Sequence, residues 1–219
     1  MKENKIRTEA LTVGAIMIAF AVTISALCAA LPFLNLPFGG GFTIASMLPI
    51  ILVAYMYGTK WGVLTAFVYS IIQMLLGFNT VSAFFLPGDS QMLWWKAILV
   101  CLIDYVIAYT VLGFGGIFRG RFETRKALCL GSIFAIFLRY VAHVLSGAIF
   151  FGTWAEWFFT QDGFPAWGQS ILVSFSGDSL SIIYSIIYNG TYMIPEIIIT
   201  AIVACFVTRI PQIKMRDTI

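Results

Sequence analysis

The chain alternates long apolar segments with short polar connections. A transmembrane helix needs about 20 mostly apolar residues to cross the hydrocarbon core of a bilayer. Six segments have or approach that length, at about 9–32, 43–58, 60–78, 92–116, 127–152 and 180–208. The pattern predicts an all-α integral membrane protein, folded as a single six-helix domain over residues 1–219.

Two of the six segments depart from a simple span. The second is short and contains Pro49, which predicts a tilted, kinked or partly re-entrant helix. Only residues 57–61 separate it from the third segment, so the two are expected to form a helical hairpin. The sixth exceeds the bilayer thickness and contains Pro195, so it either extends beyond the hydrocarbon core or kinks at the proline.

The composition supports a membrane protein and argues against other classes. Of the 219 residues, 60% are hydrophobic and 11% are charged, whereas about a quarter of the residues in soluble domains are charged. The sequence has no basic face of the kind that binds nucleic acid. All four cysteines lie in apolar segments without metal-ligand spacing, which indicates core residues rather than a zinc site or a disulfide framework.

The positions of lysine and arginine predict the orientation of the chain. These residues precede the first segment, occupy the second and fourth connections, and follow the last segment. They are Lys2, Lys5, Arg7, Lys60, Arg119, Arg121, Arg125, Lys126, Arg209, Lys214 and Arg216. Because short cytoplasmic loops carry an excess of lysine and arginine, both termini are expected in the cytoplasm, and the first, third and fifth connections outside.

The connections expected outside are rich in aromatic residues. Residues 33–42 combine aromatics with glycine, residues 84–90 follow the third segment, and the longest connection carries Trp154, Trp157 and Trp167. These residues either form an aromatic belt at the membrane interface or act as lids over a pocket that opens outward.

The fifth segment places ionisable residues where water is scarce. His143, the only histidine, shares a helical stripe with Arg139, Gly147 and Phe151, since all four recur every fourth residue. An ionisable group at this depth is costly unless it lines a polar cavity, so the stripe indicates a functional site.

The fourth segment contributes Asp104, which needs a partner if it is to stay charged in the membrane. Either Arg139 or His143 provides that partner, giving a buried salt bridge, or Asp104 faces a cationic ligand beside the aromatic ring of Tyr105. Lys96 is expected to reach the interface. Glu196 either satisfies backbone groups freed by its proline neighbour or faces another partner.

The sixth segment adds further polar and aromatic groups. Asn189 can hold another helix or bind a heterocycle through its paired donor and acceptor, and Tyr184 lies near it in sequence. Three segments thus donate groups suited to a flat, hydrogen-bonding ligand that can carry positive charge: Asp104 and Tyr105; Arg139, Tyr140 and His143; Tyr184 and Asn189. An enzyme using His143 and Asp104 would also need a nucleophile or metal, and the sequence has no HExxH-type motif.

Small residues on the first segment form a second candidate surface. Gly14, Ala15 and Ala19 follow a small-xxx-small pattern, which lets helices approach closely. Alone the pattern is weak, because alanine is common in membrane helices, and packing inside the same bundle is the favoured explanation.

Three motifs in order resemble one family over nearly the whole chain. They are Asp104-Tyr105, Leu138-Arg-Tyr-x-x-His-x-x-Ser-Gly147 and Tyr184-Ser-x-x-Tyr-Asn189. Together they resemble the thiamine-specific S-components (ThiT, also called YuaJ) of energy-coupling factor (ECF) vitamin transporters. The resemblance implies a prokaryotic plasma-membrane protein that binds thiamine at its outer side, without a cofactor or an ATPase of its own. It also implies a membrane scaffold subunit and two cytoplasmic ATPases as partners, with the scaffold docking on an Ala-x-x-x-Ala motif that matches Ala15 and Ala19.

The resemblance also assigns pocket residues. It places the acid at Asp104, its tyrosine at Tyr105, the histidine at His143 and the small residue at Gly147, with Tyr184 and Asn189 on the last helix. Where a relative has a ligand-stacking tryptophan, this chain has Phe151, with Trp154 nearby. Two alternatives stay open: an S-component for another vitamin or a thiamine precursor, and a solitary carrier coupled to protons through Asp104 or Glu196.

Overall fold

The computed structural model describes residues 2–36 and 40–213. Lys214 and Arg216, two of the residues used to predict the orientation, lie outside this part of the chain. The described residues form helices and loops, and their only β-type pairing is an isolated bridge between Asn35 and Gly41. The prediction of an all-α membrane protein is confirmed.

Within the described residues, six principal helices build the bundle. They are α1 (Lys2–Ala29), α2 (Leu48–Tyr57), α3 (Thr59–Leu76), α4 (Trp94–Gly116), α5 (Thr124–Phe150) and α6 (Gly177–Val207). All except α2 are long and apolar enough to cross a membrane. The α6 helix continues through Pro195 over 31 residues.

The second segment is shorter than predicted. Residues 43–47 form a turn, and the 10-residue α2 begins only at Leu48. Pro49 is therefore in the first turn of α2, where its missing N–H costs no helical hydrogen bond. Every residue of α2 is buried, because the helix packs among α1, α3, α4 and α5. The element is a central core helix with a non-helical entry.

Helix α4 changes its geometry along its length. It starts as an α-helix over Trp94–Val100, widens into a π-helix over Cys101–Ile107 and ends as a 3₁₀-helix over Val111–Gly116. Departures from α geometry inside a helix often mark functional sites. The π-helical segment carries Asp104.

Glycines bring the helices into backbone contact at the end of the bundle where α4 ends and α5 begins. A Cβ built on Gly113 would lie 2.3 Å from the Val63 nitrogen, and one on Gly131 would lie 2.0 Å from the Gly115 oxygen. Only glycine allows these approaches. This end is closely packed, which contrasts with the cavity at the opposite end.

At that opposite end, called here the cavity end, short helices connect the principal ones. They are Phe78–Ala83, Ala155–Phe159 and Trp167–Ser174. Phe158 and Phe159 are buried in an aromatic cluster that includes Tyr184, whereas Trp167 is exposed. The aromatic loops thus supply both covered and surface residues.

Candidate functional site

A cavity of about 800 Å³ lies at the cavity end, among α4, α5, α6 and the connecting loops. Of the ten residues predicted to form a pocket, nine line it: Asp104, Tyr105, Arg139, His143, Gly147, Phe151, Trp154, Tyr184 and Asn189. The lining mixes aromatic side chains with a few polar groups from separate helices, which is the usual character of small-ligand sites.

The central polar group of the cavity is a pair formed by Asp104 and His143. Asp104 Oδ1 lies 2.9 Å from His143 Nδ1, and Asp104 Oδ2 accepts a hydrogen bond of 2.8 Å from the Ser146 hydroxyl. Both side chains of the pair are mostly covered, with 19% of Asp104 and 12% of His143 exposed. The partner of Asp104 is therefore His143 rather than Arg139.

This pair fixes what the imidazole can offer to a ligand. In a neutral ring, an Nδ1–H that donates to Asp104 leaves Nε2 as an acceptor. His143 Nε2 is buried and has no hydrogen-bond partner within residues 2–36 and 40–213. The geometry thus presents one unsatisfied acceptor beside a carboxylate.

Arg139 lines the cavity one turn before His143 on α5. Its Nη2 donates to the Tyr109 hydroxyl at 3.0 Å, its Nη1 lies 3.0 Å from Met47 Sδ, and its guanidinium lies 4.2 Å from the centre of the Tyr109 ring. These contacts hold the cation in place through neutral groups, an aromatic face included.

Helix α6 contributes the amide and a row of tyrosines. Asn189 Nδ2 donates to the Ser185 carbonyl at 2.8 Å, and Asn189 Oδ1 accepts from the Tyr192 hydroxyl. The Tyr184 and Tyr188 rings are stacked, with centroids 5.6 Å apart. The amide is held by the protein itself and faces the cavity in a defined orientation.

Gly147 allows α5 and α6 to approach closely at the site. A Cβ built on it would lie 2.2 Å from Ser185 Oγ and 3.2 Å from Asn189 Nδ2. Ser185 Oγ in turn donates to the Val144 carbonyl at 2.8 Å. The small residue therefore sets the register between the helices that carry His143 and Asn189.

The two candidate stacking residues both reach the lining. Phe151 packs edge-on against Phe84 at 5.9 Å, and Trp154 packs edge-on against Trp157 at 5.6 Å. Trp157 and Phe84 line the same cavity. Aromatic side chains from two connections thus line the cavity.

The structure places Tyr140 outside the lining. Its hydroxyl donates to the Ile186 carbonyl at 2.8 Å, so it links α5 to α6. Lys96, expected at the membrane interface, is half-buried and lines the cavity. Its ammonium lies 5.6 Å from the centre of the Trp95 ring.

Several lining or supporting residues were not singled out as site residues from the sequence. Ser146 is part of the motif in the fifth segment but received no role, although it lies three residues after His143 and hence on the same helical face. Tyr188 and Tyr192 follow Tyr184 at intervals of four, which was a usable signal for the same face of α6.

The small residues of α1 divide between two faces. Gly14 is buried, and a Cβ on it would lie 2.9 Å from Thr65 Oγ1, so it serves packing within the bundle. Ala15 and Ala19 are exposed on the outside of the bundle. Packing within this chain therefore does not account for these two alanines.

Comparisons with known proteins agree with one another. A sequence model of the family described as "Thiamine transporter protein (Thia_YuaJ)" matches residues 11–215. The thiamine transporter ThiT of Bacillus subtilis (strain 168) is 33% identical, with 79% of this chain and 77% of the relative aligned. A solved structure of ThiT from Listeria monocytogenes has the same fold, with a TM-score of 0.62 at 20% identity, covering 96% of this chain and 99% of the other.

These matches, together with several apolar membrane-spanning helices, identify a multi-pass plasma-membrane protein. The family match extends over almost the entire length and includes every helix that lines the cavity. The chain belongs to the Thia_YuaJ family of thiamine transporter proteins.

Proposed function

We propose that this chain is the thiamine-binding membrane subunit of an ATP-driven ECF vitamin importer. The observation that carries the proposal is the cavity, because it gathers the Asp104–His143 pair, the Asn189 amide and aromatic rings from three helices. Family membership and the identity to a thiamine transporter support the same ligand.

The chemistry of thiamine fits these groups. Its thiazolium ring carries a permanent positive charge, which the Asp104 carboxylate offsets. Its aminopyrimidine ring offers N–H donors and ring-nitrogen acceptors, which suit His143 Nε2 and the Asn189 amide. The faces of both rings can pack against the lining tyrosines and tryptophans.

The proposed direction of transport is inward. The positive-inside pattern favours a cavity end that faces the outside, where thiamine is captured. The chain carries no recognisable ATPase motif, so energy is expected from a scaffold subunit and two cytoplasmic ATPases. The exposed face of α1 with Ala15 and Ala19 is the proposed docking surface, because small residues permit close helix approach.

Titration of the purified chain with thiamine tests the ligand. Trp154 and Trp157 line the cavity, so binding should change tryptophan fluorescence. Thermal-shift measurements with riboflavin and biotin provide the comparison. Stabilisation by either of these vitamins but not by thiamine would reject the proposed ligand.

Uptake measurements test the partners. Cells with the scaffold and ATPase subunits should accumulate thiamine, and vesicles containing this chain alone should not. Ala15→Trp and Ala19→Trp should abolish uptake while leaving binding intact, whereas Ile198→Trp on the exposed surface of α6 should leave both intact. Concentrative uptake by the solitary chain would instead indicate a proton-coupled carrier.

A further inference from the structure

Glu196 is a buried carboxylate on α6, one turn after Tyr192. The sequence left open whether it serves the backbone near Pro195 or another partner. Its partner is Thr43: Oε2 accepts from the Thr43 backbone N–H at 2.6 Å, and Oε1 accepts from the Thr43 hydroxyl at 2.7 Å. Both oxygens of a costly buried group are committed to one residue of the first connection.

Thr43 begins the turn of residues 43–47, which we call the junction because it joins the first connection to α2. Ala45 in the junction has a φ of 57°, a conformation that costs free energy for any residue with a Cβ. Such a conformation persists where its surroundings fix it. The backbone nitrogen of Ile44 donates to Cys28 Sγ on α1 at 3.3 Å, and Met47 Sδ contacts Arg139 on α5. Three helices therefore hold the junction.

The junction also adjoins the cavity. Gly40 and Gly41, three and two residues before Thr43, line the cavity and form what we call its first-loop wall. A Cβ built on Gly40 would lie 3.0 Å from the Tyr192 ring, so this wall is in close contact with α6. Tyr192 lines the cavity and donates to Asn189. Glu196 thus fixes the chain immediately beyond the wall that Tyr192 touches.

We propose that Glu196 is a positioning residue for the ligand cavity, which holds the first-loop wall against α6 through its two hydrogen bonds to Thr43. The experiments that use thiamine as the probe rest on the proposed function, whereas the positioning role itself does not. The junction also contacts Arg139, which lies on the same helix as His143. The bonds of Glu196 therefore stabilise a wall of the cavity that is connected to the helix carrying the Asp104–His143 pair.

Dissociation of thiamine from the purified protein tests the proposal by stopped-flow tryptophan fluorescence. Glu196→Ala leaves the Thr43 backbone N–H without its acceptor and leaves the Thr43 hydroxyl only Ser46 Oγ as a partner, so dissociation should accelerate at least about tenfold. Glu196→Gln retains size and one acceptor oxygen, so its rate should stay within about threefold of wild type. Thr43→Val removes only the hydroxyl and should give an intermediate rate.

A matched control separates positioning from general loss of stability. Ser132 is a fully buried residue of α5, away from the cavity lining, whose hydroxyl donates to the Leu128 carbonyl at 2.8 Å. Ser132→Ala should lower the unfolding temperature without changing thiamine dissociation. The double variant Glu196→Ala/Thr43→Val should dissociate only slightly faster than Glu196→Ala, because both changes remove the bond between Glu196 and the Thr43 hydroxyl, and Thr43→Val additionally removes only the contact of that hydroxyl with Ser46.

Hydrogen exchange provides a readout that needs no ligand. Amides of residues 40–47 should exchange at least about tenfold faster in Glu196→Ala than in wild type. Their exchange rates in Ser132→Ala should equal those of wild type. Should Glu196→Ala not fold, Thr43→Val is measured in the same two assays against Ser132→Ala. The positioning role is overturned if the variant matches Ser132→Ala both in the exchange rates of residues 40–47 and in the rate of thiamine dissociation. Faster exchange in a chain that does not bind thiamine would support the positioning role and reject the proposed ligand.

Discussion

Replacing Asp104 by asparagine removes one charge from the centre of the cavity and preserves the shape of the side chain. The asparagine can still accept from Ser146 and donate to His143 Nδ1. That donation would force the imidazole proton onto Nε2 and convert the free acceptor into a donor. The substitution therefore changes both the charge and the hydrogen-bonding character of the site.

The magnitude follows from the burial of the pair. With 19% of Asp104 exposed, an effective dielectric constant of about 20 is appropriate, and a cation at about 5 Å would gain about 3 kcal/mol. Partial exposure and the nearby Arg139 reduce this value. A loss of at least about 1.4 kcal/mol, or about tenfold in affinity, is expected for Asp104→Asn.

Isothermal titration of the purified variants with thiamine measures this loss. An analogue whose thiazolium is replaced by a neutral aromatic ring serves as the comparison, since it retains the aminopyrimidine but lacks the charge. The ratio of the two affinities should fall at least about tenfold in Asp104→Asn and remain unchanged in Ser146→Ala. Unchanged thiamine affinity in a folded Asp104→Asn protein would refute Asp104 as the partner of the cation.

Three further predictions test the remaining geometry. Gly147→Ala should lower thiamine affinity at least about tenfold by separating α5 from α6, and Ser185→Ala should partly restore it by removing the nearest clashing atom, as measured by titration of single and double variants. Tyr192→Phe removes the donor to Asn189 and should weaken binding about three- to tenfold with little change in unfolding temperature; a large thermal destabilisation would contradict a role confined to the site. Lys96→Gln should strengthen thiamine binding about two- to threefold at low salt and leave binding of the neutral analogue unchanged, since it removes a like charge from the lining; equal effects on both ligands would contradict this electrostatic role.

The helices were predictable from the sequence because crossing a bilayer demands long apolar segments. The boundary of the second was not, since residues 43–47 are apolar or small yet form a turn held by side chains from α1, α5 and α6. The π-helical geometry around Asp104 has no signal in the local pattern either, because tertiary contacts can override local preferences.

The site was predictable as a set of residues but not as a set of partners. Composition and spacing placed Asp104, Arg139 and His143 in adjacent helices, and two ion pairs were equally consistent with that placement. The choice depends on the register between α4 and α5, which side-chain packing sets. Tyr140 illustrates the same limit. The register of α5 against α6 decides whether this tyrosine lines the cavity or donates a hydrogen bond to α6, and the structure shows the latter.

The cavity satisfies most of its own polar groups, and this determines how it can select a ligand. Both oxygens of Asp104 accept hydrogen bonds from the protein, and Asn189 Oδ1 accepts from Tyr192. A ligand therefore gains from Asp104 mainly through charge, without breaking these bonds, and such preorganisation lowers the cost of binding. Two atoms of lining residues are exceptions, since Arg139 Nε and His143 Nε2 are buried without a partner in the part of the chain that the structure describes, and of the two only His143 Nε2 can accept a hydrogen bond. A cation of suitable shape that cannot donate an N–H to this atom should accordingly bind more weakly than one that can, because the acceptor would stay unsatisfied.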